Sequence, residues 1–149
     1  MKFKIQVPDE DYERVRAYLA EHDIGISDDA EFVITGASRY PALLDVRNEL
    51  KERIRIPAAE VVFIESFGKE IEIHTMRETY FSRDRMYQLE SLLDPKEFLR
   101  ISKSVIISKK HVKKIRPSLS MKFVLTMSDG TLVDVTRSYY GDFRRFFDI

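Results

Sequence analysis

Apolar and polar positions alternate in several short runs along the N-terminal third of the chain. Residues 2–7 alternate with a period of two, which predicts a β-strand, and a second short strand is predicted at residues 31–36. Three successive carboxylates beginning at Asp9 favour a helix N-terminus, and the apolar spacing that follows predicts a helix ending before Gly25. A further helix is predicted at residues 40–50, where an early proline suits a first helical turn. Together these elements predict a small α/β module.

Beyond residue 51 the pattern changes to short apolar or alternating runs separated by turn signals. Asp129 and Gly130 join the last two runs, and Asp-Gly in such a position is a strong hairpin signal. Helical spacing predicts short helices at residues 86–93 and 138–147. Strands are predicted at residues 61–65, 70–74, 79–81, 105–107, 112–115, 121–127 and 131–135. The predicted fold class is therefore α+β, with a mostly β domain over residues 51–149 behind a small α/β module over residues 1–50.

The overall formal charge of zero conceals opposite charges in these two parts. Residues 1–50 carry 6 Lys and Arg against 11 Asp and Glu, a net charge of −5, whereas residues 51–149 carry 19 against 14, a net charge of +5. Residues 98–128 contain eight Lys and Arg and no acidic residue. Such a basic strip favours a polyanionic partner, although basic runs are more often simply solvated surface.

Several classes of function are disfavoured by what the sequence lacks. The absence of Cys excludes disulfides, thiolate zinc sites and a cysteine nucleophile. With no signal-peptide pattern and no 18-residue apolar run, the protein is expected in the cytoplasm and not in the membrane. His22, His74 and His111 lie far apart and outside metal-ligand spacings, so no metal or other cofactor is expected. No phosphate-loop or nucleophile motif is present, and enzymatic activity is not expected.

Three segments carry a recognisable set of motifs. Residues 62–66, Val-Phe-Ile-Glu-Ser, form a hydrophobic and aromatic run that ends in Glu. Residues 98–107 are Phe-Leu-Arg-Ile-Ser-Lys-Ser-Val-Ile-Ile, and residues 130–137 lead from a Gly to Val-Thr-Arg. These resemble the opening strand, the Phe-x-Arg-x-His-Arg/Asn-Ser-hydrophobic signature and the Gly-x-x-hydrophobic-x-Val-Ser-Arg ending of the LytTR family of DNA-binding domains. Ser102 stands where the family usually has His.

The resemblance implies a mostly β domain that contacts duplex DNA through loops rather than through a recognition helix. Matched to the family motifs, Lys103 and Arg137 occupy positions that contact bases or backbone, and a third contact falls near Lys69. An Arg guanidinium can pair bidentately with guanine, while Lys supplies a point charge for phosphate. The basic strip adds candidate DNA contacts at Arg100, Lys109, Lys110 and Lys113.

Structural roles compete with DNA contact for several of these residues. Arg100 could form an ion pair with Glu65 or Glu97, and Arg137 could cap or pair beside the last helix. At helical spacing, the aromatic side chains near the C-terminus are expected in the core rather than as a stacking platform for bases: Tyr139, Tyr140, Phe143, Phe146 and Phe147.

The predicted function is a sequence-specific transcriptional regulator that binds double-stranded DNA. The resemblance to the family further implies that it occupies direct repeats as a homodimer. The acidic module is expected to mediate dimerisation or to receive an input signal. Similarity to small regulators of this kind also implies a membrane protein as a regulatory partner. The alternative is a protein-interaction or small-ligand sensor domain that has the same fold and does not bind DNA.

Overall fold

The computed structural model describes residues 1–36 and 40–149 and divides the chain into two compact units, Met1–Arg39 and Tyr40–Ile149. The division therefore falls before residue 40, whereas the sequence pattern placed it at residue 50. The difference arises because the segment after Tyr40 contributes a strand to the main sheet of the second unit. None of the helices in the described residues is both long and apolar enough to span a membrane.

The first unit is a small parallel sheet with one helix. Its elements are β1 (Lys2–Gln6), α1 (Asp9–Glu21), β2 (Gly25–Ile26) and β3 (Phe32–Thr35). The strand order is β2-β1-β3, and both neighbours run parallel to β1. Three acidic residues lie in the first turn of α1, where the helix dipole favours them. The predicted α/β character of this segment is confirmed.

The second unit is mostly β, which confirms the predicted fold class. The strands of its main sheet are β4 (Leu43–Arg47), β5 (Arg53–Pro57), β6 (Val61–Phe67), β7 (Glu70–Thr75), β8 (Thr79–Ser82), β9 (Phe98–Arg100) and β10 (Val105–Ser108). This seven-stranded sheet has the order β5-β4-β8-β7-β6-β10-β9, and every neighbouring pair is antiparallel. A short helix, α2 (Met86–Leu92), follows β8.

A smaller antiparallel sheet with the order β11-β12-β13 completes the second unit. It consists of β11 (Val112–Ser118), β12 (Lys122–Met127) and β13 (Leu132–Val135), and α3 (Tyr140–Phe147) ends the chain. The predicted hairpin between the last two strands is confirmed, with Gly130 at φ 88° in its turn. Both predicted C-terminal domain helices are also confirmed.

Strands β6 and β10 of the large sheet are buried on both faces, which explains their continuous apolar runs. Val61, Ile64 and Ile106 belong to one core cluster, together with Leu89 of α2 and the inward side chains of β4, β5 and β7. The opposite face packs against the three-stranded sheet and α3. On that face the cluster contains Val62, Phe63, Ile101, Val105, Ile107, Phe123, Leu125, Met127, Val133, Val135 and Phe143. A register shift between Val61 and Phe63 lets two successive residues of β6 face this second core.

The helix predicted at residues 40–50 is wrong, because this segment forms strand β4. Leu44 and Val46 are 2% and 3% exposed and face the first core, whereas Asp45 between them is exposed. Burial of Leu44 and Val46 in this core decides the structure, and the proline that favoured a helix precedes the strand. β5 and β9 were not predicted as strands.

The aromatic side chains of α3 pack in the core, as their helical spacing predicted. Phe143 is fully buried, with its ring centroid 4.9 Å from that of Phe123. Tyr140 stacks on the same Phe123 ring at 5.0 Å, and Phe147 packs against Phe143 at 4.8 Å. Phe146 is half-buried. These contacts fix α3 against the three-stranded sheet rather than leaving the rings available to bases.

Candidate nucleic-acid interface

Two loops of the large sheet lie side by side because β6 and β10 are antiparallel neighbours. The pairing of Val105 with Glu65 brings the start of β10 beside the end of β6. Beyond these residues, the Ser66 N–H donates to the Ser104 carbonyl at 2.8 Å. The β6–β7 turn, with Lys69, therefore adjoins the β9–β10 loop, with Lys103.

A third connection is attached to the same place by hydrogen bonds to one carbonyl. The Ile101 carbonyl accepts from the Thr136 N–H at 3.0 Å and from the Thr136 hydroxyl at 3.4 Å. Since Arg137 follows Thr136 directly, its position is coupled to the β9–β10 loop from across 35 positions of sequence. We call the three connections, residues 67–70, 101–104 and 136–137, the loop edge.

Arg100 organises the β9–β10 loop from inside it. Its Nε donates to the Ser102 carbonyl at 3.2 Å, and its Nη2 donates to the Lys103 carbonyl at 2.5 Å. Its Nη1 lies 3.8 Å from a carboxylate oxygen of Glu90, and the side chain is 25% exposed. The ion-pair partner is thus neither Glu65 nor Glu97, the two carboxylates considered from sequence. Arg100 holds the backbone on which Lys103 is presented.

Serine at the position of the family's usual histidine has a local structural role. Ser102 is 8% exposed, and its hydroxyl accepts a hydrogen bond from the Ser104 N–H at 3.2 Å. It also lies 3.4 Å from the Ser104 hydroxyl. The substitution therefore closes the turn of the loop from within, and its side chain is not presented at the surface.

The three leading candidates are exposed cations that the fold leaves without partners. Lys69, Lys103 and Arg137 are exposed. Within residues 1–36 and 40–149, none of these three side chains takes part in a salt bridge or a hydrogen bond. An exposed arginine without an internal partner keeps its full fork of donors for another molecule. The loop edge can thus present three cations from three separate connections.

The remaining candidates lie at other ends of their strands. Lys109 and Lys110 follow the last residue of β10, whereas Lys103 precedes the first. The ammonium of Lys109 lies 5.0 Å from the ring centroid of Phe146, so this side chain packs on α3. Lys113 is exposed at the beginning of β11, which pairs with the end of β12 rather than with the end nearest Arg137. The structure does not bring these three residues together with the loop edge.

Sequence reasoning missed two further cations beside Lys69. Arg83 and Arg85 lie in the connection between β8 and α2 and are exposed. The pairing of Ile71 with Ser82 brings this connection beside the β6–β7 turn, and a surface depression is lined by Lys69, Arg83, Arg85 and Arg100. The local sequence indicated only the start of a helix here. The proximity of these arginines to Lys69 depends on strand order, which no local pattern contains.

The chemistry of the loop edge is that of cation presentation. Among the described residues no group of three His, Asp or Glu side chains is arranged to hold a metal ion. Tyr80 has a raised pKa because its hydroxyl donates to the Glu78 carboxylate at 2.6 Å. Glu78 lies in the turn between β7 and β8, at the end of these strands that is opposite the loop edge.

Comparison with known proteins identifies similarity over this same unit. The family model for the LytTR DNA-binding domain matches residues 51–148. A solved LytTR DNA-binding domain of a methyl-accepting/DNA response regulator from Bacillus cereus superposes with a TM-score of 0.69 at 25% sequence identity. That superposition covers 73% of this chain and 99% of the solved domain.

Two kinds of characterised relatives share this segment. The sensory transduction protein LytT of Bacillus cereus is 29% identical over 90 residues, which are 60% of this chain and 37% of LytT. The transcriptional regulatory protein LytR of Staphylococcus aureus is 31% identical over 72 residues, 48% of this chain and 29% of LytR. The similarity therefore spans well under half the length of either relative.

Proposed function

Because this chain belongs to the LytTR family of DNA-binding domains, we propose that it is a sequence-specific transcriptional regulator that binds duplex DNA through the loop edge. One observation carries the proposal. Three exposed cations, whose side chains have no partner among the described residues, lie on three connections that backbone hydrogen bonds hold together. Family membership gives the class of ligand, and this arrangement gives the surface.

Each cation of the loop edge has a distinct role in the proposal. Arg137 makes a bidentate contact to a guanine edge in the major groove, since its guanidinium is exposed and has no partner in residues 1–36 and 40–149. Lys103 and Lys69 contact phosphates and set the register of the protein on the duplex. Arg100 is a positioning residue that acts through the Lys103 backbone.

The other predicted contacts have weaker support from the fold. Lys109 is engaged with the aromatic rings of α3, and Lys110 and Lys113 lie away from the loop edge. In the proposal these lysines contribute to the long-range field that attracts DNA, without direct contact to the bases.

Assembly and input belong to the proposal as well. Two protomers bind direct repeats on one face of the duplex, and the acidic N-terminal module mediates their pairing or receives a signal. The charge of this module supports a role away from DNA, because residues 1–39 carry 5 Lys and Arg against 9 Asp and Glu, and phosphates repel the resulting net charge of −4. A membrane protein is the proposed source of the regulatory signal.

The test is the salt dependence of DNA binding by the full chain. Selection from a genomic fragment library at low salt identifies preferred duplexes, and anisotropy titrations then compare each with a scrambled duplex of equal length. The log of the association constant is expected to fall linearly with log salt, with a slope of about −0.9 per phosphate contacted. The preferred duplex should retain a higher affinity than the scrambled one at every salt concentration.

Two outcomes count against the proposal. Failure to retain any genomic duplex at low salt leaves the interaction-domain alternative as the better explanation of the fold. Equal affinity for preferred and scrambled duplexes contradicts sequence specificity and indicates that the loop edge binds polyanions in general.

A further inference from the structure

The hairpin formed by β4 and β5 places two arginines directly opposite one another. Arg47 pairs with Arg53 in the register of the two strands, immediately before and after the connecting turn. The turn is well fixed, because the Glu52 N–H donates to the Asn48 side-chain oxygen at 3.0 Å. Both arginines therefore have defined backbone positions. Their face of the hairpin is opposite the face that buries Leu44 and the rest of the first core.

Like charges at directly opposed positions of a sheet destabilise the fold. The neighbouring cross-strand pair shows the usual solution, since Arg55 Nε lies 3.0 Å from a carboxylate oxygen of Asp45. Arg47 and Arg53 have no such partner. In the described part of the chain, neither forms a salt bridge or a side-chain hydrogen bond, and the Glu52 carboxylate accepts from the Asn48 amide instead.

Arg47 and Arg53 line a surface groove together with Arg83, a third arginine whose side chain has no partner among the described residues. Arg47 also pairs with Phe81 of β8, and Arg83 follows two positions later. The groove is lined by four arginines and two aspartates, one of which is the Asp45 already paired with Arg55. The other is Asp84, whose carboxylate forms no ion pair within the described residues. The groove thus has a net positive charge.

This groove continues into the loop edge. An adjoining depression connects the hairpin to the β6–β7 turn. Four cations and two carboxylates line it: Arg47, Lys51, Lys69, Arg83, Glu49 and Glu70. In the strand order, β4 is separated from β6 by three strand spacings. At about 4.8 Å per spacing this is roughly 14 Å, which corresponds to about four base-pair steps of duplex at 3.4 Å each.

We propose that Arg47, Arg53 and Arg83 form a second surface that contacts phosphates of the same duplex. Arg83 lies between the hairpin and the loop edge, and the contacts of Arg47 and Arg53 fall about four base pairs beyond those of the loop edge. The inference rests on the proposed function and extends its footprint. Duplex DNA is the favoured occupant because the groove is continuous with the loop edge and offers arginine forks, which match phosphate geometry. The repulsion between Arg47 and Arg53 is relieved when a phosphate lies between them.

The test compares a double variant of the full chain, Arg47→Ala with Arg53→Ala, with a matched control, Arg77→Ala with Lys96→Ala. Both control residues are exposed cations near the opposite edge of the sheet, where Arg77 lies in the β7–β8 turn and Lys96 precedes β9. The double variant should lose affinity on the order of tenfold at physiological salt, equally for preferred and scrambled duplexes. The magnitude of its log–log salt slope should decrease by about 1.8, the equivalent of two phosphate contacts. The control should match the wild type.

Hydroxyl-radical footprinting locates the missing contact. In the wild type, protection of sugars should extend on one side beyond the bases that determine preference, and the double variant should lose that outer protection alone. Arg53→Glu separates a binding role from a structural one. It replaces the repulsion with an attraction, so the thermal midpoint should rise while DNA affinity falls.

Several results overturn the inference. These are an unchanged slope and footprint in the double variant, an equal loss in the control, or a loss of base preference in the double variant. A fall in the thermal midpoint of Arg53→Glu means that Arg53 stabilises the folded structure and does not serve binding. If the wild-type chain binds no duplex, the proposed function fails and this surface fails with it, whereas normal wild-type binding with an unaffected double variant refutes the second surface alone.

Discussion

Arg100 and Lys103 are three positions apart, yet the fold uses their charges in opposite ways. The guanidinium of Arg100 turns back onto two carbonyls of its own loop, so its donors are largely occupied. Lys103 is exposed and unpaired in the part of the chain that the structure describes. The same sequence motif thus supplies one residue that shapes the loop and one that is free to meet a ligand.

Substitution of Arg137 and of Lys103 should have different consequences for DNA binding. Arg137→Ala is expected to cost about 1–3 kcal/mol on the preferred duplex and less on scrambled DNA, because a bidentate base contact carries specificity. Lys103→Ala should weaken binding to all sequences similarly and lower the salt slope by about one phosphate equivalent. Titrations of both variants on both duplexes measure the difference. Wild-type binding by both folded variants contradicts the assignment of the loop edge.

Arg100→Ala should reduce DNA affinity through the loop rather than through its own charge. Loss of two hydrogen bonds to carbonyls should also lower the free energy of unfolding by about 1–3 kcal/mol, because these bonds are made by a charged group. Arg100→Lys keeps the charge but cannot reproduce the two-carbonyl contact. If the role is positional, both variants bind DNA weakly with a nearly unchanged salt slope. Wild-type affinity in Arg100→Lys indicates that only the charge matters.

At the level of elements, the antiparallel pairing of the large sheet determines which connections become neighbours. The loops after β6, before β10 and after β13 meet because β6 pairs with β10 and because Ile101 accepts two hydrogen bonds from Thr136. The same alternation of strand directions sends Lys109 and the β7–β8 turn to the opposite edge. A basic strip that is continuous in sequence is thereby divided between separate surfaces.

Two glycine substitutions should change stability in opposite directions. Gly130 has φ 88° in the β12–β13 turn, and Gly130→Ala should lower the free energy of unfolding by about 1–2 kcal/mol because an L side chain is strained there. Gly141 lies in α3, where an added Cβ meets the Arg145 side chain at an ordinary 3.6 Å. Gly141→Ala should therefore raise stability by up to about 1 kcal/mol. Urea titrations of the two variants check the signs, and destabilisation by Gly141→Ala contradicts the helix-propensity argument.

At the level of the whole molecule, the boundary of the DNA-binding unit has a measurable consequence. A fragment of residues 40–149 keeps β4, whereas a fragment of residues 51–149 loses Leu44 and Val46 from the first core. Burial of each of these side chains contributes about 1.5–3 kcal/mol, so the shorter fragment should be less stable by roughly 3–6 kcal/mol. Thermal melts of both fragments measure this difference. Equal stability means that β4 is dispensable to the core.

The longer fragment also tests the role of the acidic module. Residues 40–149 should bind a single half-site with the affinity of the full chain, because the loop edge lies entirely within this unit. Cooperative binding to two direct repeats should be lost if residues 1–39 mediate pairing. Sedimentation of the fragment and the full chain, with and without a two-repeat duplex, separates these effects. Loss of single-site binding by a folded fragment contradicts the division of roles.

The sequence alone determined the class of fold, most of the strands, both C-terminal helices and the family motifs, because these depend on local periodicity and on residues close together in the chain. Local information was insufficient where tertiary burial overrode it, as at β4, where the inward positions of Leu44 and Val46 outweighed a helix signal. The sequence also could not divide the basic strip into occupied and free cations. Only the tertiary structure placed Lys69, Lys103 and Arg137 on adjacent connections. It also packed Lys109 against the aromatic rings of α3 and paired Arg47 with Arg53 across two strands. The physical reason is that strand order and register join residues that are far apart in sequence, and no local pattern contains that pairing.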